Sequence, residues 1–415
     1  MSVPATPIEQ RLADAGLPPL PRRAWLEIDV AALTSNVATL RALLAPGVRL
    51  AAVVKADAYG HGLLPAARAF AAAGVDALCV ATLDEALAVA GAGVGVPVLL
   101  LYEPPPDGFT VAAAAGVEVT VASEATVERV AACGPQAIPL RVHLEVDTGL
   151  RRAGVLPERV AAAAARLAEA PGAALVGLWT HLASAHDAAA SGEQAERFAR
   201  ACVGLADVVA RPVVRHISAT GGLLAASAPQ LDMVRIGLAL YGLLPEALPI
   251  APAARDAAQA LRPAMSLHAR PLRVAEVAPG EGVGYGSRWR AARPSRVATL
   301  PVGYGDGWSY GSAGRTFALV RGRRVPLIGS VAMDAVAADV TDVPGVTSDD
   351  EFVLLGAQGG AQIGALELAQ QRTTIPWEVV TSMASRLPRV YDAAGNVLSV
   401  RTLAGEMRRG DARAV

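Results

Sequence analysis

Residues 51–62 read AAVVKADAYGHG. Ala51, Ala52, Val53 and Val54 form a short, wholly apolar run with no alternation. That pattern suits a strand covered on both faces, as in a parallel sheet. Lys55 follows at its end, then Asp57, Tyr59, Gly60, His61 and Gly62, and then an Ala-rich helical stretch. The carboxyl end of a buried parallel strand is where α/β proteins place their chemistry. A lysine there is partly desolvated, which lowers its pKa and makes it a usable nucleophile or base. A strand-end lysine taken alone reads as a solvated side chain. Here Tyr59 can reach an anion near the same strand end, and Gly60 and Gly62 open the backbone at a helix start, a seat for phosphate.

The composition narrows the classes of function. Lys and Arg number 37 against 38 Asp and Glu, a net charge of −1, so there is no electrostatic case for a nucleic-acid or anionic-membrane partner. Hydrophobic residues make up 53% and aromatics 4%, which gives an Ala/Val/Leu core. Charged residues interrupt every apolar run before about 18 residues, so no membrane span is expected. The start, MSVPATPIEQRLADAGLPPLPRR, has no apolar signal core, and a cytoplasmic protein is expected. Cys79, Cys133 and Cys202 lie far apart in apolar sequence and read as buried thiols. The six histidines form no HxxH pattern, so no metal is expected.

Apolar strand-like runs recur near 50–54, 76–81, 97–102, 117–121, 139–146, 174–180, 213–218 and 232–236, most of them separated by Ala-rich helical stretches. Eight such units in about 190 residues favour a parallel (β/α)8 barrel. A doubly wound sheet remains open if 97–102 and 117–121 are not strands. Trp25–Ile28 alternates like a further strand, and Asp29 can cap the helix starting near Val30. From about Met265 short β-like runs divided by Gly, Pro and Asp turns predict a mostly-β second domain, interrupted by helical stretches at 365–372 and near 377–384. The fold class is therefore α/β: an N-terminal (β/α)8 TIM barrel over 1–246 with a Pro-rich N-terminal arm, a linker over 247–264, and a β domain over 265–415 with frayed residues from Gly405.

Function in such a barrel collects at the carboxyl ends of the strands. Those ends carry Lys55, Arg152 after the fifth strand, His181 after the sixth, Thr220 after the seventh and Arg235 within the eighth. A lone histidine after an apolar strand reads first as structural. Arg235, inside MVRIG, is different: a charge in a buried strand needs a partner or a ligand. Five polar groups converging on one barrel mouth are hard to explain as packing. In the second domain Tyr285 stands amid four glycines in GEGVGYGSRW, a segment that reads equally as a glycine turn with a packed tyrosine.

Over roughly Trp25–Leu403 the chain resembles the alanine racemase family. The resemblance rests on AVVKADAYGHG, HLEVDTGLRRAGV, GLWTHLASA, DMVRIGLALYGL, VGYGSRW, LPVGYGDGW, SVAMD and IPWEVV…RLPRVY together. It implies pyridoxal 5'-phosphate as cofactor, with Lys55 for its Schiff base. Tyr59, Thr220, Gly237, Leu238 and the amide of Gly221 are implied at the phosphate, and Arg235, supported by His181, at the ring nitrogen. An arginine there is always charged and only donates, so the ring nitrogen stays unprotonated. The carbanion at Cα is then less delocalised, which favours racemisation over transamination. Racemisation needs a proton carrier on each face. The resemblance implies Lys55 and Tyr285 in those roles, with Tyr285 reaching the barrel of the other subunit of a homodimer, so that the active site is shared. It further implies Arg152 near the phenolic oxygen and the substrate carboxylate, Met333 and Asp334 at that carboxylate, and Tyr304 at the entrance. The implied activity is interconversion of L- and D-alanine, supplying D-alanine for peptidoglycan.

Three departures from the family pattern stand out. Glu145 occupies the place of a carboxylated lysine that orients the arginine equivalent to Arg152, so Glu145 is expected to orient Arg152 without carbon dioxide. Ala332 replaces a cysteine. Ser385 replaces a bulky tyrosine and leaves volume near the substrate side chain, so serine is expected to be turned over beside alanine. A broad-specificity or serine racemase would share every motif. The related barrel decarboxylases place Glu at the ring nitrogen, where this chain has Arg235. The single-barrel pyridoxal-phosphate carriers lack a second domain.

Overall fold

A computed structural model describes residues 6–134, 138–205, 209 and 211–411. The chain forms two compact units. One holds residues 33–261, and the other the described residues up to Ala32 together with those from Arg262 onward. The first strand, β1 (Ala24–Asp29), belongs to the second of these.

The first unit is a closed parallel barrel. Its strands are β2 (Arg49–Val53), β3 (Ala77–Val80), β4 (Val98–Leu100), β5 (Glu118–Val121), β6 (Leu140–Glu145), β7 (Ala173–Trp179), β8 (Val214–Ala219) and β9 (Met233–Ile236), with β9 returning to β2 so that Ala51 pairs with Arg235. The eight expected runs are these eight strands, and the doubly wound alternative falls. Their apolar sequence follows from cover on both faces. Helices such as Leu63–Ala72, Glu124–Ala131 and Ala188–Ala201 lie between them. Ser123 Oγ accepts from the Thr126 amide at 3.2 Å and Asp187 Oδ1 from Ala189 and Ala190, which satisfies donors that the first helical turn leaves open. The barrel interior is not wholly apolar: Glu118, His143, His216 and Arg235 are all buried.

In the second unit β10 (Met265–Ala269) pairs antiparallel with β1, and β20 (Arg389–Ala393) pairs with β1 in parallel. The sheet continues through β11 (Arg273–Val277), β14 (Ser295–Leu300), β15 (Phe317–Val320), β16 (Arg323–Ile328), β17 (Val336–Asp339), β18 (Phe352–Gln358), β21 (Asn396–Thr402) and β22 (Gly405–Arg408). Strand β19 (Ala361–Ile363) adds to β18, while β12 (Gly282–Val283) and β13 (Trp289–Arg290) form a separate hairpin.

The division differs from the one read in sequence, for a physical reason at each edge. The expected N-terminal arm of a barrel domain 1–246 instead holds a helix, Ile8–Asp14, whose Ile8 and Leu12 pack on Trp25, Val390, Val397 and Val400. Strand β1 is held on both sides by C-terminal strands. The expected linker 247–264 carries helical turns at Pro252–Ala254 and Arg255–Ala260. The tail from Gly405 pairs with β21 through Arg408 instead of fraying, and residues 412–415 lie outside the described residues. Asp29 caps as expected, accepting from the Ala32 amide at 2.8 Å. Among the described residues no helix is long and apolar enough to cross a membrane.

Candidate active site

Lys55 ends β2, and the chain then makes a left-handed turn. Ala56, Asp57, Ala58 and Tyr59 have φ of 55, 53, 55 and 52°. Each such non-glycine residue costs on the order of 1 kcal/mol. The turn is held by surrounding bonds. Val54 O accepts from the Ala58 amide at 2.8 Å, Glu85 Oε1 from Ala56 at 2.6 Å, and Asp57 Oδ1 from Leu63 at 2.7 Å. Gly60 and Gly62, at φ 78 and 103°, bring the backbone out of it. Strain of this kind collects at functional sites. Here it turns Tyr59 inward, where its hydroxyl lies 2.4 Å from the point a Cβ on Gly237 would occupy, so only glycine fits there. The glycines were legible in sequence; the hand of the turn was not.

The other expected residues stand at the neighbouring strand ends. Lys55 has its pKa lowered by burial first, then by the positive charge of Arg152, with a smaller contribution from Arg235. Thr220 opens the short helix Thr220–Leu224 after β8, and its buried Oγ1 has no partner among the described residues. Leu238 begins the turn Leu238–Tyr241 directly after Gly237. Arg152 Nη2 lies 3.6 Å from Glu145 Oε1, an ion pair too long for a hydrogen bond, and Glu145 Oε2 is buried with no partner among the described residues. Burial raises the Glu145 pKa against the opposing charges of Arg152 and Arg235.

Arg235 is buried within β9, and among the described residues its hydrogen-bond partners are neutral. Nη2 donates to the Thr180 carbonyl at 2.9 Å and to His181 Nδ1 at 3.1 Å, and Nη1 to His216 Nδ1 at 2.7 Å. The guanidinium carbon stands 4.6 Å from the centre of the Trp179 ring. Burial brings its pKa down to about 10, so it stays charged at neutral pH. Burial first, then Arg235, Arg152 and Lys55, press the His181 pKa down to about 3, so this ring is a neutral acceptor. Sequence reading missed His216. The signal available was a histidine at a buried strand position beside an arginine that needed a partner.

The expected residues of the second unit lie on four loops joined through the segment 330–334. Tyr285 begins a turn after β12, and its carbonyl accepts from Ser330 Oγ at 2.9 Å. The Tyr304 amide donates to Ala332 O at 3.0 Å and Gly305 to Met333 O at 2.8 Å. A Cβ on Gly303 would meet Ala332 O at 2.2 Å, so the Gly303 and Ala332 backbones pack directly on each other. Asp334 accepts from Arg386 at 2.5 Å, and Ser385 precedes that arginine in an exposed turn. The Tyr285, Tyr304 and Met333 side chains are exposed.

Residues 28–245 match the alanine racemase N-terminal domain model and residues 264–391 the C-terminal domain model. An alanine racemase from Desulfosudis oleivorans is 40% identical over 381 residues, covering 89% of this chain and 96% of that protein. One from Sorangium cellulosum is 39% identical over 384 residues, covering 89% and 99%. Among solved structures, alanine racemase from Bacillus anthracis with bound L-Ala-P superposes with a TM-score of 0.85 at 30% identity, over 93% of this chain and 99% of that one. Alanine racemase from Bartonella henselae with covalently bound pyridoxal phosphate gives 0.78 at 27% identity, over 90% and 100%. The matches run through both units and the strand-end residues just described; the chain belongs to the alanine racemase family, and racemisation of alanine is its reaction.

Proposed function

We propose that this chain binds pyridoxal 5'-phosphate at the barrel's strand ends, with Lys55 as its covalent anchor, and racemises alanine by two-base proton transfer. The buried, unpartnered Thr220 Oγ1 and the Tyr59 hydroxyl over Gly237 support a phosphate seat, with Leu238 next in the chain. Both features fit an anion that takes hydroxyl donors and close backbone approach. When bound, the cofactor supplies an electron-withdrawing ring that acidifies the substrate's Cα–H. Arg235, which can only donate, would hold the ring nitrogen unprotonated. His181 and His216 keep it in place.

Lys55 would move a proton at one face of Cα. Its lowered pKa supports that role, since a base poised nearer the working pH transfers protons best. Tyr285 would serve the opposite face in a second copy of the chain, making a homodimer with shared sites. Its side chain is 77% exposed, which leaves it available to another subunit. Arg152 would take the substrate carboxylate, oriented by Glu145, with the backbone of Met333 alongside. Arg386 neutralises Asp334, which would otherwise repel that carboxylate. Tyr304 lines the entrance, and Ser385 leaves room for a hydroxymethyl side chain. The product would be D-alanine for peptidoglycan, made in the cytoplasm.

The observation that carries this reading is the grouping of Lys55, Arg152 and Arg235, close enough for both arginine charges to act on the Lys55 amine, with neutral His181 and His216 bonded to Arg235. The test is loss of optical rotation from L-alanine and L-serine, with and without added pyridoxal phosphate. Cofactor-dependent loss with both substrates is expected, with the serine-to-alanine ratio falling in Ser385→Tyr. No loss with alanine removes the reading.

A further inference from the structure

Behind Arg235 a chain of hydrogen bonds crosses the barrel interior. His216 Nδ1 lies 2.7 Å from Arg235 Nη1, and His216 Nε2 lies 3.0 Å from His143 Nδ1. His143 Nε2 lies 2.9 Å from Glu118 Oε2. Glu118 Oε1 accepts from Arg141 Nε at 2.8 Å. Glu118, His143, His216 and Arg235 are all less than 10% exposed.

Elementary valence fixes every proton in this chain. A guanidinium only donates, so His216 Nδ1 must accept. A neutral imidazole that accepts at Nδ1 carries its proton at Nε2. That proton can only be given to His143 Nδ1. His143 in turn carries its proton at Nε2 and gives it to the Glu118 carboxylate. The opposite polarity fails, because it would set a His216 N–H against an Arg235 N–H. Aligned bonds of one polarity strengthen one another in a low-dielectric interior. The backbone is shaped for the chain: a Cβ on Gly177 would lie 2.0 Å from His143 Nδ1, so a strand glycine makes room for the ring. Trp179 stacks on His216 at 5.9 Å with 3° between planes, which fixes that ring too.

We propose that Glu118 and His143 are positioning residues for the reaction: the Glu118 carboxylate, acting through two neutral imidazoles, anchors the far end of the polarity that Arg235 imposes on His216 and so holds Arg235 in place. This extends the role proposed above for Arg235 and rests on it. Among the described residues no carboxylate is hydrogen-bonded to Arg235. A carboxylate in contact would compete with the ring nitrogen for the same guanidinium protons. An anion two rings away stabilises the buried charge and leaves the facing protons free. Burial pushes the Glu118 carboxyl up, but the hydrogen bonds from His143 and Arg141 and the Arg141 charge bring it below its ordinary value, so the terminus stays anionic.

The test is the 15N spectrum of the imidazoles in the full chain without pyridoxal phosphate, with single-histidine variants used for assignment. This readout does not depend on the catalytic reading. His143 and His216 are both expected as neutral rings protonated at Nε2. In Glu118→Gln, whose amide can turn its nitrogen as well as its oxygen toward His143, the anchor is lost and His143 is expected to show mixed tautomers. The loaded enzyme should lose about tenfold in kcat with KM for alanine within twofold, as when an outer partner of a working group is removed. A merely structural Glu118 would move stability and leave tautomers and kcat unchanged in the folded variant. Should the variant fail to fold, the wild-type spectrum still decides: a ring protonated at Nδ1 at either position overturns the proposal. A spectrum as expected together with a failed optical-rotation assay would leave the relay standing and remove only the racemase chemistry.

Discussion

Arg235 Nη1 and His216 Nδ1 stand 2.7 Å apart, and both groups are buried. The pair leaves the guanidinium charged and donating toward the strand ends. Replacing it by an acid reverses that polarity, since a carboxylate keeps a facing ring nitrogen protonated. Arg235→Glu is therefore expected to lower racemisation roughly a hundredfold, the scale of removing one preorganised donor. Pyruvate formation from alanine, a transamination product, should rise. Both are read in one assay by chiral chromatography and pyruvate detection.

The shared-site reading has an arithmetic consequence. Lys55→Ala and Tyr285→Phe are each expected to be inactive as homodimers. In a heterodimer of the two, one site receives both wild-type groups and the other receives neither. Random re-pairing of equal amounts should restore about a quarter of wild-type activity. Activity that stays at the level of the separate variants would place Tyr285 outside the partner's site.

Glu145 faces Arg152 across 3.6 Å with one oxygen unpartnered among the described residues. Burial raises its pKa, so below that raised value the carboxyl is neutral and Arg152 loses its partner. KM for alanine should therefore rise as pH falls through this value. Glu145→Gln should show the higher KM, about threefold, at all pH, the scale of a partly exposed ion pair. Its melting temperature at neutral pH should not fall, because the raised pKa means the charged form opposes folding. Added bicarbonate should change neither enzyme.

A buried arginine bridging two carboxylates lies in the β unit. Arg11 Nη1 donates to both Glu27 oxygens at 3.0 Å and Arg11 Nη2 to Asp392 at 3.1 Å. Burial pushes Glu27 up, but His268, Arg11 and the Trp25 N–H bring it below its ordinary value. Burial and the Glu27 charge push Asp392 up to about 6, against a reference of 3.8. Between these values the native state binds the extra proton, so stability falls as pH rises through that window and stays lower above it. Asp392→Asn is expected to raise the melting temperature above pH 6, by about 2 kcal/mol equivalent, with the difference closing by pH 4. Thermal scans from pH 4 to 8 check it.

The barrel was legible because buried parallel strands read as apolar runs, and Lys55, Thr220 and Arg235 because polar groups at their ends have no packing role. Three things were hidden. The left-handed turn at 56–59 consists of residues that favour other conformations, and it is held in part by a tertiary bond from Glu85, 29 residues away in the chain. The place of β1 was hidden because its neighbours β10 and β20 lie over 200 residues away in the chain. Glu118, His143 and His216 stand in strands recognised by their apolar runs, where a polar residue reads as an exception, and only the register between β5, β6, β7 and β8 joins them.

The most direct measurement of whether Lys55 and Arg235 meet the same ring is the 15N shift of the ring nitrogen in labelled pyridoxal phosphate bound to the protein. The expected result is an unprotonated, hydrogen-bonded pyridine nitrogen that becomes protonated in Arg235→Glu, with the cofactor lost from its covalent anchor in Lys55→Ala. A pyridinium shift in the wild-type protein, or one indifferent to Arg235, would contradict it.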